Sequence, residues 1–380
     1  MSFFGDYQFF CWLIVLLIPA IILGLLEKKL SIYTLISSLV FIGLVYASDM
    51  KQLIFLAVYY VLSVLLVYVY LTLRAEFGRN GKIYGAFVLM AILPLAVCKL
   101  SGILPMNWFN FLGISYLTFK VVQVIIETYD GVIKEIHFFS FSTYLLFFPP
   151  LSSGPIDRGR RFDEDFRTVY SRNEYLDLVG EGLKKLVLGI AYKFVFAAVF
   201  YQVMNFFSES NVWYSLLGYM YSYGFYMFFD FAGYSLMAIG VSYFFGICTP
   251  DNFNKPFISK DIKEFWDRWH ITLSHWFRDF IFSRFMMKAI KKKWFKTRLS
   301  GAAAGFIINM FIMGAWHGLT PSYLVYGLYH GVLLALTEIY QKKSKFYKRN
   351  KKKKWYQALS WFVTFQLVMF GFLIFSGRLL

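Results

Sequence analysis

His270 and His317 are the side chains in this sequence best suited to moving a proton, because each stands where polar groups are scarce. His270 lies in EFWDRWHITLSHWF (264–277), where two histidines, three charged residues and three tryptophans share the run. His317 lies in NMFIMGAWHGLTPSYLVYGLYHG (309–331), late in an apolar stretch and beside a Gly-Leu-Thr-Pro turn. An ionisable group at membrane depth is costly and usually faces a cavity or a partner. A neutral imidazole in a dry, enclosed site suits general-base catalysis, worth about 10²- to 10⁴-fold, in which it takes the proton of an alcohol attacking an activated acyl group. The chain has no GxSxG elbow, Walker loop or dinucleotide fingerprint. With no visible nucleophile, direct transfer is more economical than an acyl-enzyme.

Other candidates carry weaker chemistry. His275 follows His270 by five residues, about 500° around a helix, so the two do not share a face. A helical zinc pair wants a separation of four, and no metal is expected. His330, in the next apolar run, reads first as a packing hydrogen-bonder, and His137 is weaker still. Asp230 is the one acidic group in the run YMFFDFAGYS (226–235) and needs a basic or tyrosine partner. Trp269 and Trp316 flank the two histidines. Lys99 and Lys120 fall inside apolar runs, where snorkelling to the interface is the default. Cys11, Cys98 and Cys248 lie too far apart for a disulfide framework or a metal site, and read as small buried hydrophobes.

The elements that position these groups must be membrane helices. Of 380 residues, 58% are hydrophobic and only 16% charged, with 45 Phe, 28 Tyr and 10 Trp; soluble domains run nearer about 45–50% apolar and 25% charged. Runs of about 20 apolar residues suit a bilayer core, and expected spans are 7–26, 30–47, 52–73, 83–104, 106–127, 183–207, 299–319, 321–340 and 355–375, with at least one more in 212–247. The run 7–26 lacks the basic flank of a signal peptide and is long enough to span. The short run HFFSFSTYLLFFPPL (137–151) ends in a double proline and reads as re-entrant or interfacial. No internal repeat is visible, which counts against inverted-repeat transporters.

The net charge of +17 points to a membrane surface and not to nucleic acid, because the basic residues cluster at the ends of apolar runs, as in 288–298 and 342–354. Segments 74–82, 158–185, 255–298 and 342–354 then belong inside, and both termini outside. Gly301 and Gly305, Gly314 and Gly318, and Gly327 and Gly331 are each four apart, a spacing that lets helices approach closely around His317. Asp261 followed by Glu264 starts a helix by a capping box. Continued through 280, that helix puts Trp266, Trp269, His270, Leu273, Trp276 and Phe277 on one apolar side. It would lie at the interface or dip into the protein, within a cytoplasmic or interfacial segment 250–298.

The stretches WDRWHITLSHWFRDF (266–280), FFDFAGYS (228–235), MGAWHG (313–318) and YHG (329–331) together resemble the membrane-bound O-acyltransferase family. NFLGISYLTFK (110–120), SGPIDRGRRF (153–162), NFNKPFISKDIKEFWDRWH (252–270) and FLIFSG (372–377) resemble its branch that D-alanylates teichoic acid. The resemblance runs over nearly the whole chain. It implies a single membrane-embedded domain over 1–380, all-α and polytopic. About ten to eleven transmembrane helices, with short re-entrant and amphipathic ones, would form a ring around a central tunnel. It implies His317 as base and His270 as its assisting partner. The donor would be D-alanine as a thioester on the phosphopantetheine arm of a cytoplasmic carrier protein, with no tightly bound cofactor. The acceptor would be teichoic acid outside, reached directly or through small membrane partner proteins. Carriers of this kind are acidic, so the basic and apolar surface around Lys288, Trp294 and Phe295 is the expected dock. Two readings from other classes stand beside this one. A transporter would use Asp230 and the intramembrane lysines as coupling groups, and a scaffold would only recruit enzymes.

Overall fold

A computed structural model of the chain describes residues 1–101, 109–209 and 212–379. Its helices are, in order, α1 (Tyr7–Leu25), α2 (Ser31–Tyr46), α3 (Met50–Phe77), α4 (Gly81–Leu100), α5 (Ile114–Tyr129), α6 (Phe138–Leu146), α7 (Gly159–Arg167) and α8 (Arg172–Ile190). A π-helical turn, Ala191–Phe196, leads into α9 (Ala197–Ser208), followed by α10 (Trp213–Phe244). The remainder comprises α11 (Ile262–Arg268), α12 (Ile271–Phe277), α13 (Ser283–Lys291), α14 (Arg298–His317), α15 (Pro321–Lys343), α16 (Lys345–Asn350) and α17 (Lys354–Phe375). The all-α polytopic expectation holds. Among the described residues, seven helical runs are long and apolar enough to cross a membrane: α1, α3, α4, the run from α8 to α9, α10, α14 and α17. The helix α2 is apolar but shorter. The expected span 83–104 appears as α4, whereas α5 and α15, at the expected spans 106–127 and 321–340, are not among the seven; residues 102–108 between α4 and α5 lie outside the described residues.

The chain divides into two compact units, residues 1–191 with 233–251, and residues 192–232 with 252–380. In the first, α5 is buried along almost its whole length. Its Lys120 does not snorkel. It is 2% exposed, and its Nζ donates to the Tyr144 carbonyl at 2.6 Å, at the C-terminal end of α6. A helix end leaves its last carbonyls without intrahelical donors. Burial next to those acceptors outweighs the reach to water. The helix α6 has nine residues and stops just before Pro149 and Pro150, too short to span. After it, Arg161 of α7 pairs with Asp157, and with Asp165 at 2.6 Å.

In the second unit, α14 and α15 form a hairpin. Thr297 and Ser300 cap the start of α14 reciprocally, Gly318 ends it, and Pro321 opens α15. The glycine spacing has the expected use. A methyl added at Gly331 would meet the Ile307 α-carbon at 2.8 Å, and one at Gly327 would meet the Met310 carbonyl oxygen at 2.5 Å. At these positions the two backbones touch.

One expected element is corrected. The single helix from 261 to 280 is two, α11 and α12, broken at Trp269 and His270. Trp269 is extended, and His270 takes a left-handed conformation with φ 44°. The break is stabilised from outside the helix. Asn254 N–H donates to Arg268 O at 3.0 Å, Ile271 N–H donates to Asn252 O at 2.9 Å, and Phe253 pairs with Trp269 as an antiparallel bridge. Backbone groups freed by the break are thereby satisfied in the protein interior. Asp261 caps α11 as expected, though Glu264 reaches back to Lys260 N–H and not to that of Asp261. Trp266, Trp269, Leu273, Trp276 and Phe277 are all buried, so this stretch dips into the protein.

Candidate active site

The second unit contains both principal histidines. His270 sits at the break between α11 and α12, with 3% of its surface exposed. A left-handed conformation costs a non-glycine residue of order 1–3 kcal/mol and persists only where its surroundings impose it. Here the pairing of 252–254 against 268–271 imposes it. The ring packs edge-on against Phe231 at 4.7 Å and face to face with Phe253 at 6.5 Å.

Asn252 Oδ1 meets the Nδ1 of His270 at 3.0 Å. The same oxygen accepts from Thr272 N–H at 3.3 Å and from the Thr272 hydroxyl at 2.9 Å. A backbone N–H is always a donor, so the amide atom facing it is the oxygen, and Nδ1 must carry the proton it shares with that oxygen. Nε2 then holds the lone pair. It is buried and has no hydrogen-bond partner among the described residues.

His317 is the last residue of α14, half-buried, with its ring 4.6 Å from Trp316, 5.1 Å from Phe375 and 6.1 Å from Tyr323. The turn that follows is tight, since a methyl at Gly318 would lie 2.5 Å from the Tyr323 ring. His317 is therefore fixed between a helix end and the first turn of α15. The two histidines influence one another electrostatically. Burial holds the His270 imidazole well below the ordinary histidine range, and the charge of His317 depresses it further. His270 is thus neutral at physiological pH, as a proton acceptor must be.

The other candidates divide. Trp269 is a packing residue, stacked on Phe265 at 5.6 Å and against Phe372 at 4.9 Å. His330 is fully buried among Trp266, Tyr326 and Tyr329 at 4.7–5.2 Å, and Gly371 leaves it room. It touches Tyr326, which also contacts His317 at 6.3 Å. Neither ring nitrogen of His330 has a hydrogen-bond partner among the described residues, so the expected packing hydrogen bond is not formed. Asp230 has found its basic partner, Lys193, at 2.5 Å, in the π-helical turn before α9. The next residue, Phe231, is the one that lies against His270.

Sequence reasoning missed Asn252 and the break that it serves. The signal available was NFNKP, a turn-forming run that begins eighteen residues ahead of His270. A cleft of about 290 Å³ is lined by Lys263, Trp266, His275, Arg278, Asn309 and Met313. Met313 stands one turn before His317 on α14. The expected docking surface surrounds α13. Lys288 lies over the Trp294 ring at 5.8 Å, and Trp294 and Phe295 flank Phe285. Met287, Ile290 and Trp294 are about half exposed there. A basic, apolar patch of this kind suits an acidic partner.

Comparison with known proteins bears on the chemistry. The family model of the membrane-bound O-acyltransferases matches residues 98–377. The chain is 43% identical to the teichoic acid D-alanyltransferase of Bacillus subtilis (strain 168), with 100% of this chain and 98% of the relative covered. It is 40% identical to the teichoic acid D-alanyltransferase of Streptococcus thermophilus, covering 99% and 95%. A more distant relative is the probable alginate O-acetylase of Pseudomonas aeruginosa, 31% identical, with 70% of this chain and 49% of the relative covered.

Proposed function

The chain belongs to the membrane-bound O-acyltransferase family, and from that premise we propose that it transfers D-alanine to teichoic acid from a carrier-protein thioester, with His317 as general base. The donor is the phosphopantetheine thioester of a cytoplasmic carrier, which docks on the basic surface around Lys288, Trp294 and Phe295. The acceptor is a hydroxyl of teichoic acid on the outer side, met directly or through a small membrane partner protein. The multi-pass chain has its N-terminus outside.

The observation that carries this reading is a buried His270 whose Nδ1 is held by the Asn252 amide oxygen and whose imidazole feels the charge of His317. In the transfer, the acceptor hydroxyl oxygen forms a bond to the thioester carbonyl carbon and gives its proton to His317. The C–S bond then breaks, and the departing thiolate takes the proton back, leaving an ester on the acceptor and a free thiol on the carrier arm. His270 accepts a hydrogen bond as His317 becomes cationic, which stabilises charge in a water-poor site. The full-length relatives named for this activity support the choice of acyl group and acceptor.

The test is reconstitution of the purified protein in lipid vesicles with a D-alanyl-charged carrier and lipoteichoic acid. His317→Ala is expected to lower the transfer rate by about 10²- to 10⁴-fold without unfolding the protein. An unchanged rate rejects the base, and appearance of unmodified substrate on the far side favours a transporter.

A further inference from the structure

Asn252 is a neutral amide far from His317 in sequence, yet three donors converge on its side-chain oxygen: His270 Nδ1, Thr272 N–H and the Thr272 hydroxyl. Its own carbonyl accepts from Ile271 N–H, so its backbone and side chain both grip the strained residue from its C-terminal side. We infer that Asn252 is a positioning residue for acyl transfer, fixing His270 as the Nδ1–H tautomer so that Nε2 offers its lone pair to the reacting groups. This rests on the functional reading above and adds a residue to it.

A neutral imidazole has one N–H and one lone pair, and the bond made by one nitrogen decides which is which. The Thr272 N–H orients the Asn252 amide, and the amide oxygen demands a proton from Nδ1. Were the imidazole to carry its proton on Nε2, two lone pairs would face each other across 3.0 Å. The left-handed backbone at 270 aims the ring, and Phe231 and Phe253 hold its plane. His317 is the titratable group whose charge reaches this ring. Asn252 acts only through His270 and does not itself touch the reacting atoms.

The experiment compares Asn252→Ala, Asn252→Asp, His270→Ala and the double variant Asn252→Ala/His270→Ala in the full-length protein. D-alanyl transfer is measured against pH, and the thermal unfolding midpoint is measured with no substrate. Asn252→Ala is expected to lower kcat by about 10- to 100-fold, as loss of a group that orients a functional histidine does, with KM for the charged carrier unchanged. The double variant should be no slower than His270→Ala alone. Asn252→Asp keeps the acceptor and adds a charge that favours the imidazolium. It should transfer faster than Asn252→Ala, move the acid limb of the rate profile up by about one pH unit or more, and lose less thermal stability on acidification than the wild type. Additive losses in the double variant, or Asn252→Asp and Asn252→Ala behaving alike in both rate profile and acid stability, would overturn the inference. The stability comparison needs no substrate, so failure of the wild type to transfer D-alanine strikes the functional reading alone.

Discussion

Gly314 on α14 and Gly327 on α15 meet backbone to backbone: a methyl added to either would stand 3.0 Å from the α-carbon of the other. Each added methyl would also press on a carbonyl oxygen, that of Tyr323 or of Met310. Backbone cannot swing aside as a flexible side chain can. Alanine gains about 1 kcal/mol over glycine in helix propensity, but overpacking costs about 1–3 kcal/mol, and contact with backbone places this case at the costly end. Gly314→Ala and Gly327→Ala should each lower the thermal midpoint. Gly314→Ala should also slow acyl transfer beyond its effect on folding, because His317 is three residues further along the same helix. A raised midpoint in either variant would contradict the packing argument.

Acid should weaken the fold through His270. Its imidazole is held well below the ordinary range by burial, then by the charge of His317. Below about pH 6.5 the unfolded chain binds a proton there that the folded chain refuses. Stability therefore falls as pH drops through that value, by at most about 1.4 kcal/mol per pH unit for one group, and is level above it. Between pH 7.5 and 5.5 the wild type should lose more of its thermal midpoint than His270→Gln, which has no proton to bind. Equal losses would mean that the residue is not held neutral.

What was legible in the chain follows from what local pattern encodes. Apolar runs and their basic ends suffice for a polytopic helical protein, and the spacing of Gly314, Gly327 and Gly331 foretells the close hairpin. The two histidines stand out because polar groups are rare around them. The break at His270 was not legible, because the periodicity of Trp266, His270, Leu273 and Phe277 is continuous across it. Only the distant segment 252–254 interrupts the helix, and a pairing of that kind leaves no trace in a helical wheel. Lys120 escaped for the same reason. Its partner is the open end of α6, a feature of tertiary structure.

The ion pair of Lys193 and Asp230 should behave as structure and not as a coupling device. The lysine is one-fifth exposed and the carboxylate about two-fifths, so the pair is worth less than a fully buried one. Asp230→Asn and Lys193→Gln should each lower the thermal midpoint, and the double variant should lie closer to the wild type than the sum of the two, with a coupling of about 0.5–3 kcal/mol. Transfer per folded molecule should stay within a few-fold of the wild type. Abolished transfer at unchanged stability would return Asp230 to the list of chemical groups.

Trp294 is half exposed, covered by Lys288 and flanked by Phe285, so its ring is already held in place. Interfaces tend to concentrate their affinity in such aromatic anchors, whose truncation costs about 2 kcal/mol or more. If the carrier docks here, Trp294→Ala should raise its KM by about 10-fold or more, with kcat unchanged, as for any side chain that contributes binding alone. Lys288→Ala should give a smaller rise, visible at low salt and fading as salt screens the charge. If the carrier docks elsewhere, both variants will match the wild type across the salt series, while His317→Ala remains inactive.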